Sequence, residues 1–209
     1  KRAVGLATMT HDTTIAAIAT PPGSGGIGII KISGPEAVSL AARVFKAKGS
    51  RNPLGKAGRS FQSHRLYFGH IVHPVTDQIL DEVLVVVMPA PHSYTREDVV
   101  EIQAHAGTVG LRAILNLILD GGARLAEPGE FTQRAFLNGR IDLTQAEAVI
   151  ELINARSDIA LTAAARQMNG DFKPILTGIE NALHDLRVIV EAGIDFPDDV
   201  QGDGGDAQL

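Results

Sequence analysis

The chain has 209 residues, enough for one large domain or two small ones, and its 44% apolar content is ordinary for a soluble protein. A formal net charge of -5 argues against a surface that draws nucleic acid from a distance, and the lack of cysteine removes disulfides, thiol nucleophiles and cysteine-ligated metals. Only 4% of the residues are aromatic and none is Trp, a poor supply of stacking platforms for single strands.

Residues 1–11 read as a loose leader with no cleavable signal pattern. No apolar run approaches the roughly 18–20 residues of a membrane span, so the expectation is a cytoplasmic protein without membrane attachment. "TIAAIAT" (14–20) and the β-branched "GIGIIKIS" (26–33) read as strands joined by a Pro-Gly turn. "GPEAVSLAARVF" (34–45) predicts a helix with Pro35 near its first turn and Val38, Ala41, Ala42 and Phe45 at helical spacing. A basic, Gly-rich loop (46–60) follows. "HRLYFGHIVHP" and "ILDEVLVVVMPAP" predict a hairpin about Thr76-Asp77-Gln78, and "DVVEIQAH" a further strand. "TVGLRAILNLILD" (108–120) reads as a helix stopped by Gly121 and Gly122.

Beyond that point the pattern becomes helical. "EPGEFTQRAFLNG" (127–139) predicts a short helix. Residues 142–170 carry a stripe of Leu143, Ala146, Ile150, Ile153, Ala160, Leu161, Ala164 and Met168, about seven turns long. Asp142 with Gln145 and Thr144 with Glu147 both have capping-box spacing, which marks the start but not its register. A second long helix is expected from about Phe172 or Pro174 to Glu191, joined to the first at Gly170 as an antiparallel pair. Its apolar face needs cover from another segment, another subunit or the first domain. The expected class is α+β: a mixed-sheet α/β domain at 12–125, then an all-helical segment at 126–209 with long antiparallel helices and an acidic, glycine-rich tail.

The stretch "TPPGSGGIGIIKISGP" (20–35) raises the question of a phosphate cradle. A P-loop needs a Lys-Ser/Thr pair after its last glycine, whereas Gly28 is followed by Ile29 and Ile30. A dinucleotide fingerprint needs a helix there, and the residues are strand formers. The remaining readings are a tight strand connection or a loop of backbone donors for another ligand. Histidines 64, 70, 73, 92 and 105 raise a metal site, but His70 and His73 are three apart in an expected strand and point to opposite faces, so no metal site is expected. In "DVVEIQAH" the alternation puts Val99, Glu101, Gln103 and His105 on one face, and a carboxylate within an apolar strand needs a partner. A salt bridge or an edge position would satisfy Glu101 as well as a ligand. Lys31 is the only charge in its strand and Arg140 lies between the two parts; on the residues alone each reads equally as a solvated group or a boundary ion pair.

"DTTIAAIATPPGSGGIGIIKISGP", "SYTREDVVEIQAHAG", "RLAEPGEFTQRAFLNGRIDLTQAEAVIELI" and "DFPDD" together resemble the N-terminal portion of the tRNA modification GTPases usually called MnmE or TrmE. The resemblance covers nearly the whole chain, with several motifs in the family's order. It implies an N-terminal domain that binds a 5-formyltetrahydrofolate-type cofactor and forms the homodimer, as in the fold of folate-dependent aminomethyltransferases. It also implies the first half of a helical domain, with a G domain following that would bind GTP, magnesium and potassium and carry the GTPase activity; none is expected of this portion alone, nor any catalytic residue. The family works with the FAD-dependent MnmG to install a (carboxymethyl)aminomethyl group at C5 of the wobble uridine of certain tRNAs. The resemblance makes Glu101 the contact to the pterin edge and Lys31 and Arg140 the basic contacts to the folate, with Tyr94, Glu97, His105 and Ser24 as weaker pocket candidates. The sequence departs from the family's usual pattern at Lys31, where Arg is common, at Arg96, where Gly is usual, and at "AHAG". Two other classes fit the residues: a stand-alone folate-dependent one-carbon transferase, and a structural dimerisation module.

Overall fold

Strands that alternate between buried and half-buried side chains, and helices with one buried stripe, account for most of the first half of the chain. The computed structural model describes residues 13–23, 25–48 and 62–195. The expected leader, most of the basic loop, Ser24 and the acidic tail with most of "DFPDD" lie outside the described residues. The described chain divides into two units, one ending at Ile141 and the other starting at Asp142.

The first unit is a seven-stranded mixed sheet in the order β3-β4-β5-β6-β2-β1-β7. Its strands are β1 (Ile15–Ile18), β2 (Gly28–Ser33), β3 (Phe45–Ala47), β4 (Leu66–Val72), β5 (Ile79–Met88), β6 (Val99–Ala104) and β7 (Arg124–Leu125). Every neighbour pair is antiparallel except β1 with β7. Val83, Val85 and Val87 of β5, Val100 and Ile102 of β6, and Ile30 and Ile32 of β2 are buried, as period-2 alternation requires. Against them lie α1 (Ala37–Val44) and α2 (Thr108–Asp120). The helices bury Ala37, Leu40, Ala41 and Val44, and Leu111, Ile114, Leu115 and Ile118, each set one helical face. The opposite face of the sheet carries Lys31, Glu101 and Gln103, all half-buried.

Several local expectations need correction. The buried stripe of α1 is shifted from the one read in the sequence: Val38 and Ala42 are only partly buried, and Phe45 already belongs to β3, which pairs with β4. The ring of Phe45 is almost fully buried there, so core burial at the sheet edge overrides continuation of the helix. Strand β7 has only two residues, too few to show a period, and is defined by its parallel register with Ile15 and Ala16. The short helix α3 (Glu130–Leu137) belongs to the first unit, tied to it by buried Arg134.

The second unit contains α4 (Leu143–Asn154), α5 (Asp158–Met168) and α6 (Lys173–Asp195). Of the two possible capping boxes, Asp142 with Gln145 is the one formed, through Gln145 N to Asp142 Oδ1 at 2.9 Å and Asp142 N to Gln145 Oε1 at 2.9 Å. The seven-turn helix is interrupted: Ala155 leaves helical geometry, and the Ser157 hydroxyl caps α5 by accepting from Ala160 N. The break lets the chain reverse, because Gln145 Nε2 reaches Met168 O and Gln167 Nε2 reaches Thr144 O, so the start of α4 meets the end of α5. The antiparallel pair is therefore α4 with α5. Gly170, at φ +85°, opens the way to α6, none of whose side chains is buried. No helix among the described residues is long and apolar enough to cross a membrane.

Candidate functional site

A buried polar cluster fixes the loop between β5 and β6 over one end of the sheet. Arg134 of α3, 5% exposed, donates to both carboxylate oxygens of Glu97, at 3.1 and 3.0 Å, to Glu130 Oε1 at 3.0 Å and to the Thr13 carbonyl at 2.9 Å. Ser33 of β2 donates to Glu97 Oε2 at 2.7 Å and lies 2.6 Å from the Thr95 hydroxyl. Asn138 Nδ2 donates to Thr95 O at 2.6 Å, and the Ser93 hydroxyl donates to Glu97 O at 2.5 Å. Glu130 also receives Arg124. Burial alone would raise the Glu130 pKa, but bonds from Arg124, the Glu127 amide and Arg134 hold it down at about 2. Buried Arg134 and the mostly buried carboxylates of Glu97 and Glu130 thus satisfy one another, with the exposed Arg124 completing the set from the surface.

The loop so fixed brings Tyr94 to the open face of the sheet. Lys31 of β2 and Glu101 of β6 are direct cross-strand partners, with Lys31 Nζ 3.5 Å from Glu101 Oε1. Their side chains remain 32% and 21% exposed, so the pair is within reach of a ligand. Lys31 Nζ lies 5.7 Å from the centroid of the Tyr94 ring, and Arg140 Cζ lies 4.9 Å from the same centroid. The Tyr94 hydroxyl is 3.0 Å from Thr132 Oγ1, which anchors the ring to α3. Arg140 is positioned by the turn that ends α3, where Gly139 takes φ +69° and the Arg140 amide donates to Ala135 O at 2.9 Å. Lys31, Tyr94, Glu101 and Arg140 therefore form one set, drawn from two strands and two loops. Beside it is an open cavity of about 520 Å³ lined in part by Tyr94, Arg96 and Arg140. A carboxylate, cations and a phenol ring together can hold a planar heterocycle with neighbouring N-H donors and an anionic substituent.

The other sequence candidates are used differently. Glu97 is held by Arg134 and Ser33 and supports the loop. His105 pairs with Asp81 of β5: its amide donates to Asp81 Oδ2 at 2.8 Å and its Nδ1 lies 2.7 Å from Asp81 Oδ1. Ser24 is outside the described residues. His70 of β4 faces Glu82 at 3.4 Å, while His73 lies beyond the strand and accepts from the amides of Val75 and Thr76 in the turn.

The hydrogen bond to Asp81, with that group's negative charge, holds the His105 pKa above its ordinary 6.5. Partial burial pushes Asp81 up, but the His105 side-chain and amide bonds outweigh it, and Asp81 lies below its ordinary 3.8. Because His105 is raised and Asp81 lowered in the folded state, the pair's stabilisation is complete between pH 3.8 and 6.5, and it is lost as pH rises through the raised His105 midpoint or falls through the lowered Asp81 one. An NMR pH titration is expected to place the His105 midpoint above 6.5, with Asp81→Asn returning it towards that value. An unchanged midpoint in Asp81→Asn would exclude the pair as the cause.

Sequence reasoning missed Arg134, Ser33 and Thr95, although Glu130 and Arg134 stand in the i, i+4 relation of a helical ion pair. Asp81 carried no local signal, since its partner His105 comes from the residues just after β6.

The family model described as the GTP-binding protein TrmE N-terminus matches residues 14–140, and that of the MnmE helical domain matches residues 143–208. A tRNA modification GTPase MnmE of Syntrophobacter fumaroxidans is 57% identical over 194 residues, covering 93% of this chain and 40% of that protein. Proteins of the same description from Geobacillus thermodenitrificans and Geobacter sulfurreducens are 50% and 52% identical, over 92% and 91% of this chain and 41% and 40% of their own lengths. The chain thus spans about 40% of the length of these curated relatives.

Proposed function

The chain belongs to the family of the tRNA modification GTPase MnmE, also called TrmE, and on that premise we propose that it is the part that binds a reduced folate and forms the homodimer. The observation that carries this reading is the convergence of Lys31, Tyr94, Glu101 and Arg140 beside an open cavity. A 5-formyltetrahydrofolate-type cofactor fits the chemistry of that set. Glu101 would accept from the neighbouring N-H donors of the pterin edge, and the Tyr94 ring offers a face for stacking. Lys31 would balance the charge of Glu101 with less directional contacts than a planar guanidinium gives. Arg140 would take the benzoyl-glutamate side.

Bound there, the folate supplies a one-carbon unit. The residues of this chain bind and orient it, and the buried cluster around Arg134 keeps the Tyr94 loop in place while it does so. In the whole protein, the same reading gives GTP hydrolysis to a G domain and redox chemistry to an FAD-dependent MnmG partner. The product is the (carboxymethyl)aminomethyl group at C5 of the wobble uridine of a tRNA substrate.

Calorimetric titration with 5-formyltetrahydrofolate tests the site. Saturable binding is expected, weakened about three- to tenfold by Arg140→Ala, the size of an exposed cation contact over an aromatic face. Binding that Arg140→Ala leaves unchanged would remove Arg140 from the pocket. A folded dimer that shows no binding at millimolar ligand would leave the scaffold role alone.

A further inference from the structure

The cavity next to the Lys31–Glu101 pair has a charge pattern that a folate carrying a single glutamate does not use up. Arg96 and Arg140 line it together with His64 and His92, and none of its described lining residues carries a carboxylate. In a chain of net charge -5, such a grouping is a local reversal. Asp98, on the same loop as Arg96, is engaged by the Ala90 amide at 2.9 Å.

Arg96 is held there against its backbone preference. It takes φ +59°, a left-handed conformation that costs a bulky side chain roughly 1 kcal/mol or more. Its Nη1 donates to Asn138 O at 3.0 Å, which aims the guanidinium across the cavity mouth towards the turn bearing Arg140. Arg96 is exposed, so core packing does not account for it. Tyr94 is common to the cavity and to the Lys31–Glu101 set, which makes the two continuous.

We propose that this cavity is a subsite for the extended tail of a reduced folate bearing a γ-linked oligoglutamate chain, with Arg96 and Arg140 taking its successive carboxylates. The proposal rests on the folate reading above. Each added glutamyl residue brings one more carboxylate, the group a guanidinium fork binds best. A cavity of about 520 Å³ has room for such an extension beyond the ring system. RNA phosphate is the less favoured occupant, because only two guanidiniums line this open cavity in a chain of net charge -5.

The test compares 5-formyltetrahydrofolate monoglutamate with its triglutamate by calorimetry, on the wild-type chain and on Arg96→Gly. Glycine suits φ +59°, so the variant is expected to fold, which circular dichroism and thermal melting check. The wild type should bind the triglutamate about three- to fivefold more tightly, the effect of one added exposed ion pair at Arg96, since Arg140 already meets the benzoyl-glutamate side of the monoglutamate. Arg96→Gly should bring that ratio to about one and change monoglutamate affinity by less than about twofold. Equal affinities in the wild type, or a ratio that Arg96→Gly does not alter, would overturn the subsite and leave the folate reading standing. Failure of both forms to bind would overturn the folate reading and the subsite with it. Loss of the triglutamate advantage on adding a stoichiometric short single-stranded RNA would reassign the cations to phosphate.

Discussion

Replacing Arg134 with Met is expected to lower the stability of the first unit by about 3–5 kcal/mol, the usual cost of stranding a buried carboxylate. The substitution keeps most of the side-chain volume, so the loss is electrostatic. It removes both guanidinium contacts to Glu97, the contact to Glu130 and the tie to the Thr13 carbonyl. Glu97 then has only its hydroxyl and backbone contacts, in a cluster whose Ser33 and Thr95 are fully buried. The sign of the pH dependence follows from Glu130, whose folded pKa of about 2 is below its ordinary 4.5. Its contribution is complete above pH 4.5 and is lost as pH falls towards 2, a span worth on the order of 3 kcal/mol. Urea denaturation at pH 7 and at pH 3 should show both effects, the wild type losing stability on acidification and Arg134→Met losing less. Adding Glu97→Gln to Arg134→Met should restore part of the loss, because the stranded charge is gone. A single-variant change below about 1 kcal/mol would mean that Arg134 does not hold the loop.

The second large effect is on binding. Glu101→Gln is expected to weaken 5-formyltetrahydrofolate by roughly a hundredfold, since a charge-assisted pair of hydrogen bonds becomes at best one neutral bond. The fold should be nearly indifferent to the change, because the Lys31–Glu101 pair is part-exposed and such pairs contribute about 1 kcal/mol or less. Calorimetry alongside thermal melting separates the two outcomes. A binding loss below about threefold with intact melting would assign the pterin edge to another acceptor.

The sequence made the sheet and its covering helices legible because both have strong periods. The valines of β5 and the stripe of α2 are readable without any tertiary information. What it hid depended on partners far along the chain. Phe45 looks like the last turn of a helix until its burial against β4 is known, and the two residues of β7 have no pattern of their own. The break at Ala155–Ser157 was concealed by small apolar residues that continue a helical stripe on either side of it.

The site was legible to a similar degree. The alternation of β6 put Glu101 with Gln103 and opposite Val100 and Ile102, but which face meets the core and the register opposite Lys31 are properties of the sheet. The place of Tyr94 between Lys31 and Arg140 could not be read locally, because three separate segments meet there. Glu97 lies three residues from Tyr94 in sequence, yet its carboxylate turns inward to Arg134. His105, read as sharing a strand face with Glu101, lies one residue beyond β6, where Asp81 claims it.

The chain has two tyrosines, and they make the location of the site directly measurable. Tyr94 belongs to the candidate set, whereas Tyr67 lies on β4 with its hydroxyl accepting from the Gln62 amide at 2.7 Å. With both rings isotopically labelled, titration with 5-formyltetrahydrofolate should shift the Tyr94 resonances saturably and leave those of Tyr67 in place. Saturable binding that moves Tyr67 alone, or neither ring, would contradict a folate site built on Lys31, Tyr94, Glu101 and Arg140.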